Sequence, residues 1–350
     1  MSEVVRHVVA SIGPASRAHA DAVRGKFAAA NLELLSRLAG MLGGAQHTAT
    51  PKVSRRTVVV VAGDHGAGDP GIALGASHPT VIAAAAIASG SAALSSMARA
   101  SRAPIVLVDA GVAEPAAMPA STIKLGRGPT RDLLREPAMT VIDATLGLEA
   151  GIALAISLSE PGLDVLAVGA LGLGSELAAA AIAGTLVPSV ASSPDFPLVD
   201  DPGEVRALGT EPDWSLAPER GLGTLVEPDV SRAYQQGRAW SGSGLELLAT
   251  FGGPETCVLA GLMLGAASLH VPVILDGHAT GAAAVVAMRL APAVTDYLIA
   301  AHGGSPTHAM LLTQLGLSPM FEVGLGHGEG IGAAMLLPWL DQVEAFIAPR

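Results

Sequence analysis

Residues 324–332 read GLGHGEGIG, five glycines around one carboxylate, Glu329, and one imidazole, His327. Glycine in regular structure costs roughly 1 kcal/mol of backbone entropy relative to alanine, a cost that close approach to a ligand offsets. A carboxylate on such a loop has the chemistry of a general base. The competing reading is structural, a glycine loop in which Glu329 caps the helix that follows. A second glycine turn, Gly169–Gly174 (GALGLG), leads into helical sequence from Ser175. Backbone N–H groups in such a turn, together with the positive end of a helix, suit an anion. Tight packing explains the same glycines equally well, and no acidic residue lies at the spacing of a dinucleotide site. Asp64-His65 and Asp276-x-His278 carry metal-ligand residue types. Metal sites need three or four convergent ligands, and the chain has no H-x-x-x-H pair. Strand-end aspartates that hold loops by hydrogen bonds are the favoured reading, and neither a metal nor another cofactor is expected.

The elements that would position these residues follow from the hydrophobic pattern. Apolar runs at 57–62, 104–108, 164–168, 271–275 and 296–301 each end in Gly, Asp or His. Short, nearly continuous apolar strands suit a parallel sheet covered on both faces. Ala-rich helical stretches lie between them, at about 80–100, 146–159, 176–186, 254–269 and 281–290. Alternating strand and helix predicts βαβ units with right-handed crossovers, and ligands of such sheets bind beyond the carboxyl ends of the strands. The Gly, Asp and His clusters that end these runs sit at those ends. Residues 15–47 read as one or two amphipathic helices with Leu32, Leu34, Leu35, Leu38, Met41 and Leu42 on the apolar side. Residues 187–230, rich in Pro, Asp, Ser and Gly, read as a long functional or mobile loop.

Composition narrows the classes. Half of the 350 residues are hydrophobic but only 3% are aromatic, so the core must be built from Ala, Val, Leu and Ile. The net charge is −11 and no Lys/Arg cluster could track a phosphate backbone, so no nucleic-acid partner is expected. A single cysteine, Cys257, excludes an intramolecular disulfide and reads as a buried inert thiol. The N-terminus lacks the pattern of a signal peptide, and the apolar stretch 81–93 is too short to span a bilayer and reads as a buried helix. A cytoplasmic chain without membrane partners is the expectation.

Residues 62–71 (AGDHGAGDPG), 77–81 (SHPTV), 137–140 (PAMT), 169–174, 252–277 (GGPETCVLAGLMLGAASLHVPVILDG), 302–308 and 324–333 form a series of blocks over roughly 57–340. In order and spacing these blocks resemble those of the nicotinate-nucleotide:dimethylbenzimidazole phosphoribosyltransferase family. The resemblance implies an α/β fold with a Rossmann-like parallel sheet flanked by helices. It implies a catalytic domain at 51–335 and a small helical lobe made by residues 1–50 and a C-terminal helix at 336–350. It also implies a homodimer that transfers ribose 5-phosphate from nicotinate mononucleotide to 5,6-dimethylbenzimidazole or a related base. Glu329 matches the family's catalytic glutamate. Substrate contacts are implied for Gly172, Gly174, Ser175, Gly223, Thr224, Ser77, His78, Leu325 and His327. The match departs from the family at Ala170 and Ser305, where the family has glutamates, and at Gly326 and His327, where it has arginine and leucine. Those departures motivate an alternative expectation, a catalytically weak paralogue that binds nucleotide or base or pairs with an active homologue in a heterodimer.

Overall fold

A computed structural model of the chain describes residues 1–27, 30–66, 72–126, 128–186, 227–323, 325 and 328–348. Its centre is a six-stranded sheet: β1 (Arg56–Gly63), β2 (Ile105–Gly111), β3 (Ile123–Lys124), β4 (Val165–Leu171), β5 (Val273–Leu275) and β6 (Leu298–Ala300). The strand order is β3-β2-β1-β4-β5-β6 and every pairing is parallel. The order reverses between β1 and β4, which opens a crevice at the carboxyl ends of those two strands.

Strand pleating sorts the core into two layers. Val59, Val61, Leu166, Val168, Val273 and Leu275 face one side, and Val58, Val60, Ala62, Val165, Ala167 and Ile274 face the other. The first side is covered by α6 (Val141–Ser159), α7 (Ser175–Gly184), α9 (Gly244–Phe251), α10 (Pro254–Ser268), α11 (His278–Leu290) and α12 (Pro306–Gln314). The second is covered by α3 (Glu33–Ala45), α4 (Pro79–Ser89), α5 (Ala93–Ala100) and α13 (Ile331–Ile347). Helices α1 (Glu3–Ser11) and α2 (Arg17–Gly25) come first in the chain, and α8 (Glu227–Arg238) packs along α7. Arg56, at the start of β1, donates to the Leu337 carbonyl (2.9 Å) and to Asp341 (2.6 Å), which ties α13 to the sheet.

The five expected strands and the parallel α/β plan are present. The differences have local causes. The stretch expected as one helix at 80–100 is two, because Gly90 takes φ 81° and ends α4. Helix α4 is only half buried, with Ile82 56% exposed, so the buried-helix expectation for 81–93 holds for one face. Strand β3 has two exposed residues and no apolar run to announce it. The sequence expected as a loop at 187–230 becomes helical from Glu227, and residues 187–226 lie outside the described residues. By length and composition Pro79–Ala100 and Val141–Ser159 are apolar enough to cross a bilayer, but these stretches are the crossovers that cover the sheet.

Scarcity of aromatics is matched by close helix contact. A Cβ at Gly151 of α6 would overlap the Val258 carbonyl of α10, and one at Gly261 of α10 would overlap the Leu148 carbonyl of α6. Reciprocal glycines thus bring the two backbones together. Alanine at Gly261 would gain about 1 kcal/mol of helix propensity and lose about 1–3 kcal/mol to overpacking against backbone. Gly261→Ala should therefore lower the denaturant midpoint. Gly25→Ala, where nothing lies within 4 Å, should not.

Candidate active site

Three loops meet at the β1/β4 crevice, and one carboxylate holds them. Asp64, just beyond β1, accepts from Thr80 Oγ1 in α4 (2.6 Å), from the Leu173 N–H after β4 (3.0 Å) and from the Ala113 N–H after β2 (2.8 Å). Its own N–H donates to the Gly111 carbonyl (3.1 Å), and the next residue, His65, donates its N–H to the Leu173 carbonyl (2.9 Å). Such charge-assisted bonds to backbone N–H groups offset the burial of the carboxylate. The glycine turn after β4 is held against β1 by this lattice. A Cβ at Gly172 would overlap the Gly63 carbonyl. Gly174 takes φ 84° as the N-cap of α7, a left-handed conformation that favours glycine. Ser175 Oγ lies 3.3 Å from His278 Nε2, at the start of α11.

Behind the turn sits a buried pair. His65 Nε2 is 3.0 Å from Glu255 Oε1, and both side chains are 0% exposed. Glu255 Oε1 also accepts from Thr256 Oγ1 (3.0 Å). Gly63, Gly174 and Gly253 leave the space the pair fills. Burial is the largest single influence on His65 and disfavours its charge. Attraction and hydrogen bonding to Glu255, with smaller contributions from Asp64 and Glu176, outweigh it and raise the pKa above its ordinary 6.5.

Glu329 is placed by its neighbours. The Gly328 carbonyl accepts from the Ala170 N–H of β4 (2.9 Å), and the Gly330 N–H donates to Asp276 Oδ2 (2.6 Å) at the end of β5. A Cβ at Gly169 would overlap the backbone of Glu329 and Gly330, so the loop rests directly on β4. The N-cap of α13 is Gly330 (φ 99°), with no side-chain cap from its own segment. The Ala333 N–H is instead taken by Asp276 Oδ1 (2.9 Å). Asp276 thus caps the start of α13 through both of its oxygens.

Several of the expected site residues converge. Gly172, Gly174, Ser175 and Glu329 lie around the ends of β1, β4 and β5. Ser77 is exposed and His78 is buried at the start of α4, the helix bound to Asp64 through Thr80. Leu325 is half buried against the layer containing α13. Gly223, Thr224 and His327 lie outside the described residues. Among the described residues no group of three or more His, Cys, Asp or Glu side chains could hold a metal ion. Asp64 and Asp276 are loop-holding aspartates. Glu255 lies within the family-like block 252–277, but its pairing with a histidine 190 residues away has no local signal. A separate cleft of about 410 Å³ opens beside the ends of β2 and β3, between residues 125–126 and 128–131 and the starts of α6 and α10. Cys257 lines it, and burial pushes the thiol's pKa up, away from thiolate chemistry.

Comparison with known proteins supplies the remaining evidence. A family model described as phosphoribosyltransferase matches residues 13–193 and 224–348. The chain is 35% identical over 344 residues to the nicotinate-nucleotide–dimethylbenzimidazole phosphoribosyltransferase of Roseiflexus sp. strain RS-1, covering 95% of this chain and 91% of that protein. It is 37% identical over 319 residues to the protein of the same description from Deinococcus radiodurans, covering 88% and 80%. The crystal structure of the Thermus thermophilus protein of that description matches with a TM-score of 0.74 at 27% identity, covering 99% of this chain and 96% of that one.

The buried pair has a measurable signature. A histidine whose folded-state pKa is raised contributes stability that is fully present below its unfolded value, near 6.5. That contribution is lost as pH climbs through the folded-state value. Denaturant unfolding followed upward from about pH 6.5 should show stability falling, and Glu255→Gln should flatten that slope.

Proposed function

The chain belongs to the phosphoribosyltransferase family of the nicotinate-nucleotide–dimethylbenzimidazole type, and from that premise we propose that it transfers ribose 5-phosphate from nicotinate mononucleotide to 5,6-dimethylbenzimidazole or a related base. The products are nicotinate and α-ribazole 5′-phosphate, a precursor of the cobalamin lower ligand. The enzyme is a pentosyltransferase. The observation that carries this reading is the clamped backbone on either side of Glu329, bonded to β4 through Gly328 and to Asp276 beyond β5 through Gly330.

The chemistry suits these residues. One ring nitrogen of the benzimidazole attacks ribose C1′ as the bond from C1′ to the nicotinate nitrogen breaks, and nicotinate leaves with that electron pair. The proton on the other ring nitrogen passes to Glu329, which keeps the new bond from reversing through a cationic base. The phosphate is held by N–H groups of Gly172, Gly174 and Ser175 at the positive end of α7. Ser77, His78 and Leu325 line the base. The small lobe expected from residues 1–50 and 336–350 corresponds to α1, α2, α3 and the end of α13, of which α3 and α13 also cover the second face of the sheet. A homodimer would use the apolar face of α6, where Val141, Ile142, Leu146 and Ile156 stand exposed. The chain works in the cytoplasm.

Incubation with nicotinate mononucleotide and 5,6-dimethylbenzimidazole should release nicotinate. Glu329→Gln should slow that release by about 10²–10⁴-fold, the usual worth of a general base. Unchanged turnover in the variant would remove Glu329 from the mechanism, and no release by the unaltered chain across a panel of bases would remove the transfer itself.

A further inference from the structure

We propose that Asp276 is the positioning residue for Glu329, a carboxylate that caps α13 from another part of the fold and so sets where the general base stands. The inference rests on the reading of Glu329 as that base.

The helix that follows Glu329 begins without a cap of its own. Its N-cap is Gly330, which has no side chain, and its first turn carries no acidic residue. The first N–H groups of a helix need acceptors. Two of them, on Gly330 and Ala333, are taken by the two oxygens of Asp276, 54 and 57 residues earlier in the chain. Asp276 is 0% exposed. Its own backbone is held in turn, its N–H bonded to Thr280 Oγ1 (3.0 Å), which donates to the Gly277 carbonyl (2.8 Å). His302 Nε2 lies 3.3 Å from Asp276 Oδ1, a close contact without hydrogen-bond alignment, and confines the carboxylate from the β6 side. Gly332 has no room for a Cβ, because Asp276 Oδ1 and His302 occupy the space.

The consequence for the reaction is geometric. Gly330 adjoins Glu329, and its N–H bond to Asp276 is at 2.6 Å. On the other side the Gly328 carbonyl is bonded to Ala170 of β4. Glu329 is thus suspended between two fixed peptide groups, one held by a strand end and one by Asp276. Asparagine at position 276 keeps the size of the side chain but replaces one acceptor oxygen with a donor, so it can satisfy only one of the two N–H groups. The loop then shifts while the turn at 172–175 stays in place.

The test is steady-state kinetics on the full chain with nicotinate mononucleotide and 5,6-dimethylbenzimidazole. Asp276→Asn should lower kcat by about 10²-fold, the scale of a misplacement of about 1 Å, with KM for nicotinate mononucleotide unchanged. In a Glu329→Gln background the same substitution should cost nothing further, because there is no base left to misplace. A merely structural role would multiply the two losses and raise KM as well. If Asp276→Asn does not fold, Thr280→Val decides the question: it keeps the side-chain shape but removes the acceptor of the Asp276 N–H, and a loss of kcat with KM for nicotinate mononucleotide unchanged is expected. Full activity of Glu329→Gln would overturn the base reading, and this proposal with it. An impaired Glu329→Gln combined with an unimpaired Asp276→Asn, or with multiplied losses, would overturn the positioning role alone.

Discussion

The crevice depends on a buried carboxylate with three donors. Asp64 collects a hydroxyl from α4 and N–H groups from the segments after β2 and β4. A charge in the interior is expensive, and it is retained when the groups around it are already desolvated and pointed inward. Backbone N–H groups at loop ends are such groups. Once Asp64 is satisfied, the segments after β1, β2 and β4 and the start of α4 have one relative arrangement. Asp276 repeats the device at the end of β5, with α13 as its client.

This arrangement explains why glycine clusters where it does. Loops tied to a common acceptor must approach one another at backbone distance, and a Cβ at Gly63, Gly169, Gly172 or Gly253 would collide with what it faces. Helices α6 and α10 obey the same rule through Gly151 and Gly261. Interiors built this way fill their volume with backbone and methyl groups rather than rings, which is how a chain with 3% aromatic residues builds a full core.

Much of the fold was legible because its signals are local. Strands β1, β2, β4, β5 and β6 are short apolar runs ending in polar or glycine residues, and such runs need no partner to be recognised. Strand β3 was not legible, since two exposed residues become a strand only by bonding to β2. The break at Gly90 was visible as a glycine but not as a boundary, because alanine-rich sequence on both sides is equally helical. In the candidate site, glycine density exposed both the turn at 169–174 and the loop around Glu329. The aspartates were recognised as loop-holding, but which loops they hold could not be read, because the donors to Asp276 come 54 and 57 residues later. The His65–Glu255 pair lies further still beyond local pattern, its members separated by 190 positions.

The trans cap of α13 also bears on the order in which the protein is made. Chains emerge from the ribosome N-terminal end first. When β5 has been synthesised and residue 329 has not, the Asp276 carboxylate is an acceptor whose donors do not yet exist. The sheet edge around it stays open to water until α13 arrives. Synthesis of residues 329–333 thus does two things at once: it delivers Glu329 and supplies the N–H groups that allow the end of β5 to close. A nascent chain stalled short of that segment lacks both Glu329 and the donors to Asp276, so this part of the fold closes in one late step rather than growing with chain length.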